Sequence, residues 1–372
     1  MIINDKIQSS SCLQHCSSVE NSGSKGYVQL GKLILPLANL SLPISEILEQ
    51  AYLEEGDILF CAGTLIEGQG NLCSDLDVYV ITNQLRQARS ISISRHHRVL
   101  TESRDIVRAD ECTTDPVRLI HTTIPGRATK IDIEFRTFAE VVNLYASIRD
   151  IYEYAAHNLI LLTKRVSERD ESFIHRLQNS VCLHGHVGYD SLLAELPKEQ
   201  YRYLGYRWVA SDFSVLLDIA GAVSSNDWLR AVDLSRENLI AQTSGYMRAQ
   251  GLTNFRRKWV SYYAKQYLSE DLVQEFHHLY LLQRVNATPS ACQAFVQRSL
   301  DFVDRIFERT HPVLQQQTAF PSGEEARKEL DTAQGNRNDL YSTLEYEYRK
   351  KAYGEAIRPT ADFEIFEWLS LA

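Results

Sequence analysis

The stretch that could do chemistry reads Gly63-Thr64-Leu65-Ile66-Glu67-Gly68-Gln69-Gly70-Asn71-Leu72-Cys73-Ser74-Asp75-Leu76-Asp77-Val78-Tyr79. Leu76, Val78 and Val80 alternate with Asp75, Asp77, Tyr79 and Ile81, a strand pattern that sends both carboxylates out of one face. Two carboxylates held that close repel unless a cation sits between them. Magnesium is the natural guest: it prefers oxygen, takes one or two protein carboxylates, and fills its octahedron with water and substrate phosphates. Upstream, Gly63 permits a tight turn and close backbone approach, and Thr64 offers a hydroxyl and an amide to a phosphate oxygen. Downstream, Asp132 and Glu134 share one face of a second strand pattern. Either acid there would complete a two-metal clamp on the attacking and leaving oxygens of an in-line displacement. An Asp-x-Asp pair alone is commonly a solvated strand edge; the combination is what points to chemistry.

The elements that must position these residues are legible in part. Residues 27–36 read as strand or irregular packing. Residues 41–54 have helical spacing at Ile44, Ile47, Leu48 and Ala51, with Pro43 in the first turn and an end before Gly56. A short apolar run, 57–62, leads into the Gly-rich loop 63–74. Segments 117–123 and 130–135 flank Ile124-Pro125-Gly126-Arg127, where Pro then Gly suits the middle of a type II turn, so they are predicted to form a hairpin.

After about residue 139 the spacing turns helical. Val141, Tyr145, Ile148, Tyr152, Ala155 and Leu159 mark one long helix, and Val209, Phe213, Leu216, Leu217 and Ala220 another. Asn226 is a predicted N-cap before Trp228, and Asn254 a predicted cap for a helix carrying Phe255, Trp259, Tyr262 and Lys265. Residues 312–323 read as a Gln- and Pro-rich linker before a charged helix from 324 to about 348. The predicted class is α+β, a mixed sheet with helices followed by an all-helical domain. The expected boundaries are a loose extension 1–26, a catalytic domain 27–139, a helical domain 140–310, and a linker with a C-terminal helical segment 311–372.

The Gly-Thr pair and the Ser-Asp-x-Asp between apolar residues resemble the signature of the DNA polymerase β-like nucleotidyltransferase superfamily. The order of helix, strand, Gly-rich loop, Asp-x-Asp strand, hairpin with a third acid, then helices extends the resemblance over about residues 41–270. It implies a nucleotidyltransferase-type sheet, two magnesium or manganese ions, and an NTP substrate. By this resemblance Asp75 and Asp77 match the metal ligands, Asp132 the third, and Gly63, Thr64 and Ser74 the phosphate-positioning residues. Between Asp132 and Glu134, the flanking Ile131 and Ile133 favour Asp132 as the acid that shares an ion and helps deprotonate the acceptor. Lys258 matches a lysine that neutralises triphosphate charge; read from the sequence alone, Arg256, Arg257 and Lys258 are a solvated run beside core aromatics.

With 39 Lys plus Arg against 48 Asp plus Glu, the net charge of -9 disfavours phosphate-backbone binding. The expected acceptor is therefore a small molecule rather than a polynucleotide, with Tyr201, Tyr203, Tyr206, Tyr262 and Tyr263 as candidate pocket walls. A nucleotide, tRNA or protein acceptor, or a nucleotide-sensing protein without turnover, are the alternatives. No membrane-length apolar stretch and no secretory leader is seen, so a cytoplasmic chain with reduced thiols is expected. Cys12, His15 and Cys16 form the one tight cluster of metal-binding types. They lack a second ligand pair nearby and read as tail residues. His184 and His186 likewise read as loop histidines.

Overall fold

The computed structural model describes residues 25–362, apart from 72, 104–105, 108–112, 127–128, 211–212, 282–287 and 336–338. Cys12, His15, Cys16 and all but the last two residues of the expected extension thus lie outside the described residues. The class is α+β. The chain forms two compact units: residues up to Arg136, joined by Asn179–His186, make a sheet unit, and Thr137–Gln178 with the chain from Val187 onward make a helical unit.

The sheet unit begins with β1 (Tyr27–Gln29), β2 (Lys32–Leu35) and β3 (Leu40–Pro43), an antiparallel three-stranded sheet. The helix expected over 41–54 starts later, as α1 (Ile44–Gln50), because Ser41, Leu42 and Pro43 pair with Ile34, Leu33 and Lys32 of β2. Leu42 is fully buried there, and ladder bonds plus that burial outweigh helical spacing. Pro43 keeps a helix-compatible φ of -57° but an extended ψ of 128°, so it ends the strand.

A six-stranded sheet follows, made of β4 (Ile58–Ala62), β5 (Leu76–Thr82), β6 (Arg98–Thr101), β7 (Val117–Thr123), β8 (Lys130–Thr137) and β9 (Val181–His184), in the order β6-β7-β8-β5-β4-β9. β7 and β8 form the hairpin, in register from Leu119↔Glu134 to Thr123↔Lys130, and Gly126 adopts the positive φ of 74° that the second central position of a type II turn requires. β9 is a departure from the sequence reading, which placed only helices beyond residue 139. Its four residues, Val-Cys-Leu-His, return to the sheet and pair antiparallel with β4, too short a run to announce a strand.

One buried ion pair ties this unit together. The Arg86 guanidinium reaches the Asp57 carboxylate, Glu54 Oε2 at 3.2 Å, the Thr82 hydroxyl at 3.0 Å and the Tyr52 carbonyl at 2.7 Å. It fastens the chain between α1 and β4 to the end of β5.

The helical unit comprises α2 (Phe138–Ala156), α3 (Glu168–Gln178), α4 (His186–Glu195), α5 (Lys198–Ala210), α6 (Ser214–Ser224), α7 (Trp228–Ala249), α8 (Val260–Tyr267), α9 (Glu270–Leu281), α10 (Pro289–Gln315), α11 (Gly323–Gln334) and α12 (Leu340–Gly354). A Thr137–Glu140 capping box starts α2. That helix stops short of Leu159 because the buried Arg207 guanidinium takes the Ala155 and Asn158 carbonyls, at 3.2 and 2.9 Å. The helix expected from Val209 to Ala220 is two, with Val209 near the end of α5 and Phe213 just before α6. Asp227, not Asn226, caps α7, since Asn226 lies at φ 57° and Asp227 accepts from the Arg230 N–H. Asn254 instead closes a turn onto the Arg256 N–H at 3.0 Å, and α8 begins only at Val260.

The expected 312–323 linker is also corrected. α10 runs straight through Pro312, because Phe302, Val303, Ile306, Thr310 and Leu314 form one buried stripe on both sides of it. The single charged helix after it is two, α11 with a Ser322–Glu325 capping box, and α12. No helix among the described residues is long and apolar enough to cross a membrane. Cys61 and Cys73 are free thiols.

The Arg86 clamp gives the first prediction. Both side chains of the Arg86–Asp57 pair are nearly fully buried, 3% and 2% exposed, so Arg86→Met strands a buried carboxylate. Urea unfolding should show a loss of about 3–5 kcal/mol, and Arg86→Met with Asp57→Leu should recover part of it.

Candidate functional site

The acids are sorted by the pleat of two neighbouring strands. Leu76, Val78 and Val80 of β5 and Ile131, Ile133 and Phe135 of β8 belong to one apolar core. Side chains alternate across a strand, so Asp77 and Tyr79 of β5, and Asp132 and Glu134 of β8, face away from that core on the other side. β4 continues this face, with Phe60 stacked on Tyr79 at 5.2 Å between ring centroids.

Gly63 follows directly on β4, whose last residue Ala62 pairs with Asp77. Its φ is 85°, and a Cβ built on it would lie 2.0 Å from Asp77 Oδ2. Only glycine combines that conformation with that approach. The loop then winds on itself. The Glu67 N–H donates to the Gly63 carbonyl at 3.0 Å, and the Gln69 and Gly70 N–H groups donate to the Thr64 carbonyl at 2.8 and 2.7 Å. Gly26 joins it, donating to the Ile66 carbonyl at 2.8 Å, so ordered packing reaches one residue into the expected extension.

Ser74 closes the loop in front of the acids. Its Oγ accepts from the Asn71 N–H at 3.0 Å while its own N–H donates to the Asn71 carbonyl at 2.9 Å. The hydroxyl proton remains to be donated, to water or to another oxygen acceptor. Asp75 comes immediately before the first residue of β5, and its Oδ1 is buried with no hydrogen-bond partner. A buried carboxylate oxygen without a donor is costly, and a cation is the simplest group that removes the cost.

Asp132 and Glu134 have different partners. Asp132 Oδ1 lies 2.6 Å from His121 Nδ1, its cross-strand partner, with both side chains about a third exposed at 29% and 31%. Glu134 accepts from Arg136 Nε at 3.1 Å, and that guanidinium is 5% exposed. Glu134 is thus neutralised by a buried, permanent cation, whereas the partner of Asp132 is an imidazole that can take or give a proton. Behind Asp77, burial first and then the Asp77 charge push the Cys61 thiol well above its ordinary range, which keeps it neutral.

The structure therefore brings Gly63 against Asp77 and places Asp77, Asp132 and Glu134 on one sheet face. It does not gather them: among the described residues no group of three or more His, Cys, Asp or Glu side chains is close enough to hold a metal ion. Lys258 belongs to the helical unit, exposed on a single 3-10 turn with its ammonium 5.5 Å from the Trp259 ring centroid. Its neighbours are occupied, Arg257 with Glu237 at 2.8 Å and Arg256 with Glu168 at 3.7 Å. Of the candidate tyrosines, Tyr201, Tyr203 and Tyr263 are core residues, Tyr262 is surface at 37% exposed, and Tyr206 lines a cavity of only about 20 Å3.

His121 is the residue the sequence reading missed. The signal was present, since counting back two residues on each side of the Thr123↔Lys130 closing pair puts His121 opposite Asp132. No protein-family model matches the chain, and no curated protein matches it.

Gly63→Ala tests the close approach. The methyl group and the Asp77 carboxylate cannot share the same space, and the backbone adds strain of about 1–3 kcal/mol. The variant should lose stability by at least that amount in denaturant unfolding; unchanged stability would show that Asp77 moves away freely.

Proposed function

We propose that this chain is a metal-dependent nucleotidyltransferase that moves a nucleoside monophosphate from an NTP to an acceptor hydroxyl and releases pyrophosphate. The observation that carries the reading is the buried, unpartnered Asp75 Oδ1, two residues from an Asp77 carboxylate braced by Gly63. Two carboxylates two residues apart are the ligand type that a hard divalent cation takes, with water and phosphate completing its coordination. Two magnesium or manganese ions held by Asp75, Asp77 and Asp132 would supply the charge neutralisation that phosphoryl transfer needs.

The chain's own residues do the rest. The hydroxyl oxygen of the acceptor forms a bond to the α-phosphorus while the bond to pyrophosphate breaks, and the hydroxyl proton must go to a base. Asp132 is that base, held in orientation by His121 and able to pass the proton on to the imidazole. Glu134, occupied by Arg136, is the weaker candidate. The Ser74 hydroxyl donates to a phosphate oxygen, and the turn at Gly63 and Thr64 allows the triphosphate to approach the backbone. By the resemblance, Lys258 of the helical unit would neutralise triphosphate charge.

A small-molecule acceptor fits the surface better than a polynucleotide. The two basic runs are largely taken up in ion pairs: Arg256 and Arg257 with Glu168 and Glu237, Arg349 with Glu345, and Lys350 with Asp331 and Glu347. A polynucleotide needs several clustered cations aimed at its phosphates.

Pyrophosphate release from each NTP, with magnesium or manganese and with or without a metabolite extract, tests the proposal. Turnover in the wild type should fall by roughly 10³-fold in Asp75→Asn and in Asp77→Asn, several kcal/mol of charge stabilisation, with melting temperatures nearly unchanged. Nucleotide binding without release would favour a nucleotide sensor instead. Asp132→Asn should lose most of kcat and Glu134→Gln far less; the reverse ranking would move the base to Glu134.

A further inference from the structure

We propose that the helical unit holds a binding site of its own, for an uncharged molecule with an aromatic body and a hydroxyl or N–H group at one end. It does not rest on the nucleotidyltransferase reading. A cavity of about 480 Å3 lies between the chain after α2, the end of α5, the start of α6, α7 and α12. That volume falls in the range of about 300–1,000 Å3 found for sites that bury small organic ligands.

Much of the lining is apolar, from Ile160, Leu161, Leu162, Trp208 and Val215. Leu161 is 66% exposed, and Tyr341 of α12, which also lines the cavity, is 48% exposed. Large apolar side chains are thus left in water at this cavity, and an apolar body seated against them would remove that contact. The Trp208 indole is held in place, its N–H donating to the Lys164 carbonyl at 3.0 Å, so its surface is offered to a ligand with little further ordering. Trp208 and Tyr341 favour an aromatic body, because aromatic pairs gain more than the area they bury.

The charged groups of the lining are engaged by the protein. Glu345 pairs with Arg349 at 3.3 Å, their side chains 15% and 5% exposed, and Glu237 pairs with Arg257 at 2.8 Å. The Arg207 guanidinium is held by the Tyr203 hydroxyl at 2.7 Å and by the Ala155 and Asn158 carbonyls. A charged ligand would shed its hydration here and find both carboxylates and Arg349 already paired, a cost that an uncharged one escapes. Gln242 of α7 sets the polar end. It is 3% exposed and gives a carboxamide N–H to Asn238 Oδ1 at 3.1 Å, which fixes its orientation. Its oxygen accepts no hydrogen bond among the described residues, yet it is not sealed from solvent as Asn238 Nδ2 is. On a residue that lines the cavity this is an open acceptor, to which a ligand O–H or N–H can donate. Water would satisfy that oxygen but would leave Leu161 and Tyr341 wet.

The test uses the full chain and matched probes, with binding read by calorimetry: 4-phenylphenol, its methyl ether, which lacks the donor, and 4-phenylbenzoate, which carries a charge. The phenol should bind saturably, and the ether and the benzoate each about fivefold more weakly or worse, the size of one neutral hydrogen bond. Leu161→Asn, at an exposed position outside the core, should weaken the phenol several-fold at an unchanged melting temperature. Gln242→Leu should erase the difference between phenol and ether, and the ether comparison tests the same hydrogen bond should that variant fail to fold. No saturable binding of the phenol up to its solubility limit, an ether or a benzoate that binds as tightly, or a phenol affinity unaltered by Leu161→Asn would overturn the proposal.

Discussion

Strands β5 and β8 lie side by side, and their pleat divides each of them between two environments. Leu76, Val78, Val80, Ile131, Ile133 and Phe135 anchor one side in the apolar core, which leaves Asp77, Asp132 and Glu134 no choice but the other. Register is rigid under such a constraint, because a slip by one residue would drive three carboxylates into hydrocarbon. The rest of the site depends on that rigidity. Gly63 can sit against Asp77 only because Ala62 is paired with Asp77, and His121 can meet Asp132 only because the β7–β8 hairpin is in its observed register.

Charge is handled differently in the two units. In the sheet unit the buried Arg86–Asp57 pair and the Arg136–Glu134 pair are closed, each cation matched to an acid. The buried oxygen of Asp75 is left open. In the helical unit Glu171 is shared by Arg165 and Arg248. Leaving a buried polar atom unsatisfied costs stability, and under the proposed function a cation would meet the open oxygen of Asp75.

What the sequence determined by itself was mostly local. Alternation announced β5 and the β7–β8 hairpin, Pro-Gly announced its turn, and helical spacing announced the change of class after residue 139, since each depends on residues a few positions apart. The candidate acids were legible for the same reason, as was the need for glycine at position 63. Element ends were less so: the start of α1 was decided by pairing with β2, and the end of α2 by Arg207 from α5, partners remote in sequence.

Only the tertiary structure decided the return of β9 to the sheet, because a four-residue strand buried beside β4 carries no periodic signal of its own. It alone decided that α10 continues through Pro312, where a stripe of buried contacts outweighs the missing N–H. It also separated two acids that the sequence left equivalent, giving Glu134 a buried guanidinium and Asp132 an imidazole. Partners of that kind are chosen by cross-strand register and burial, quantities set by how distant segments pack and not by the spacing of residues along the chain.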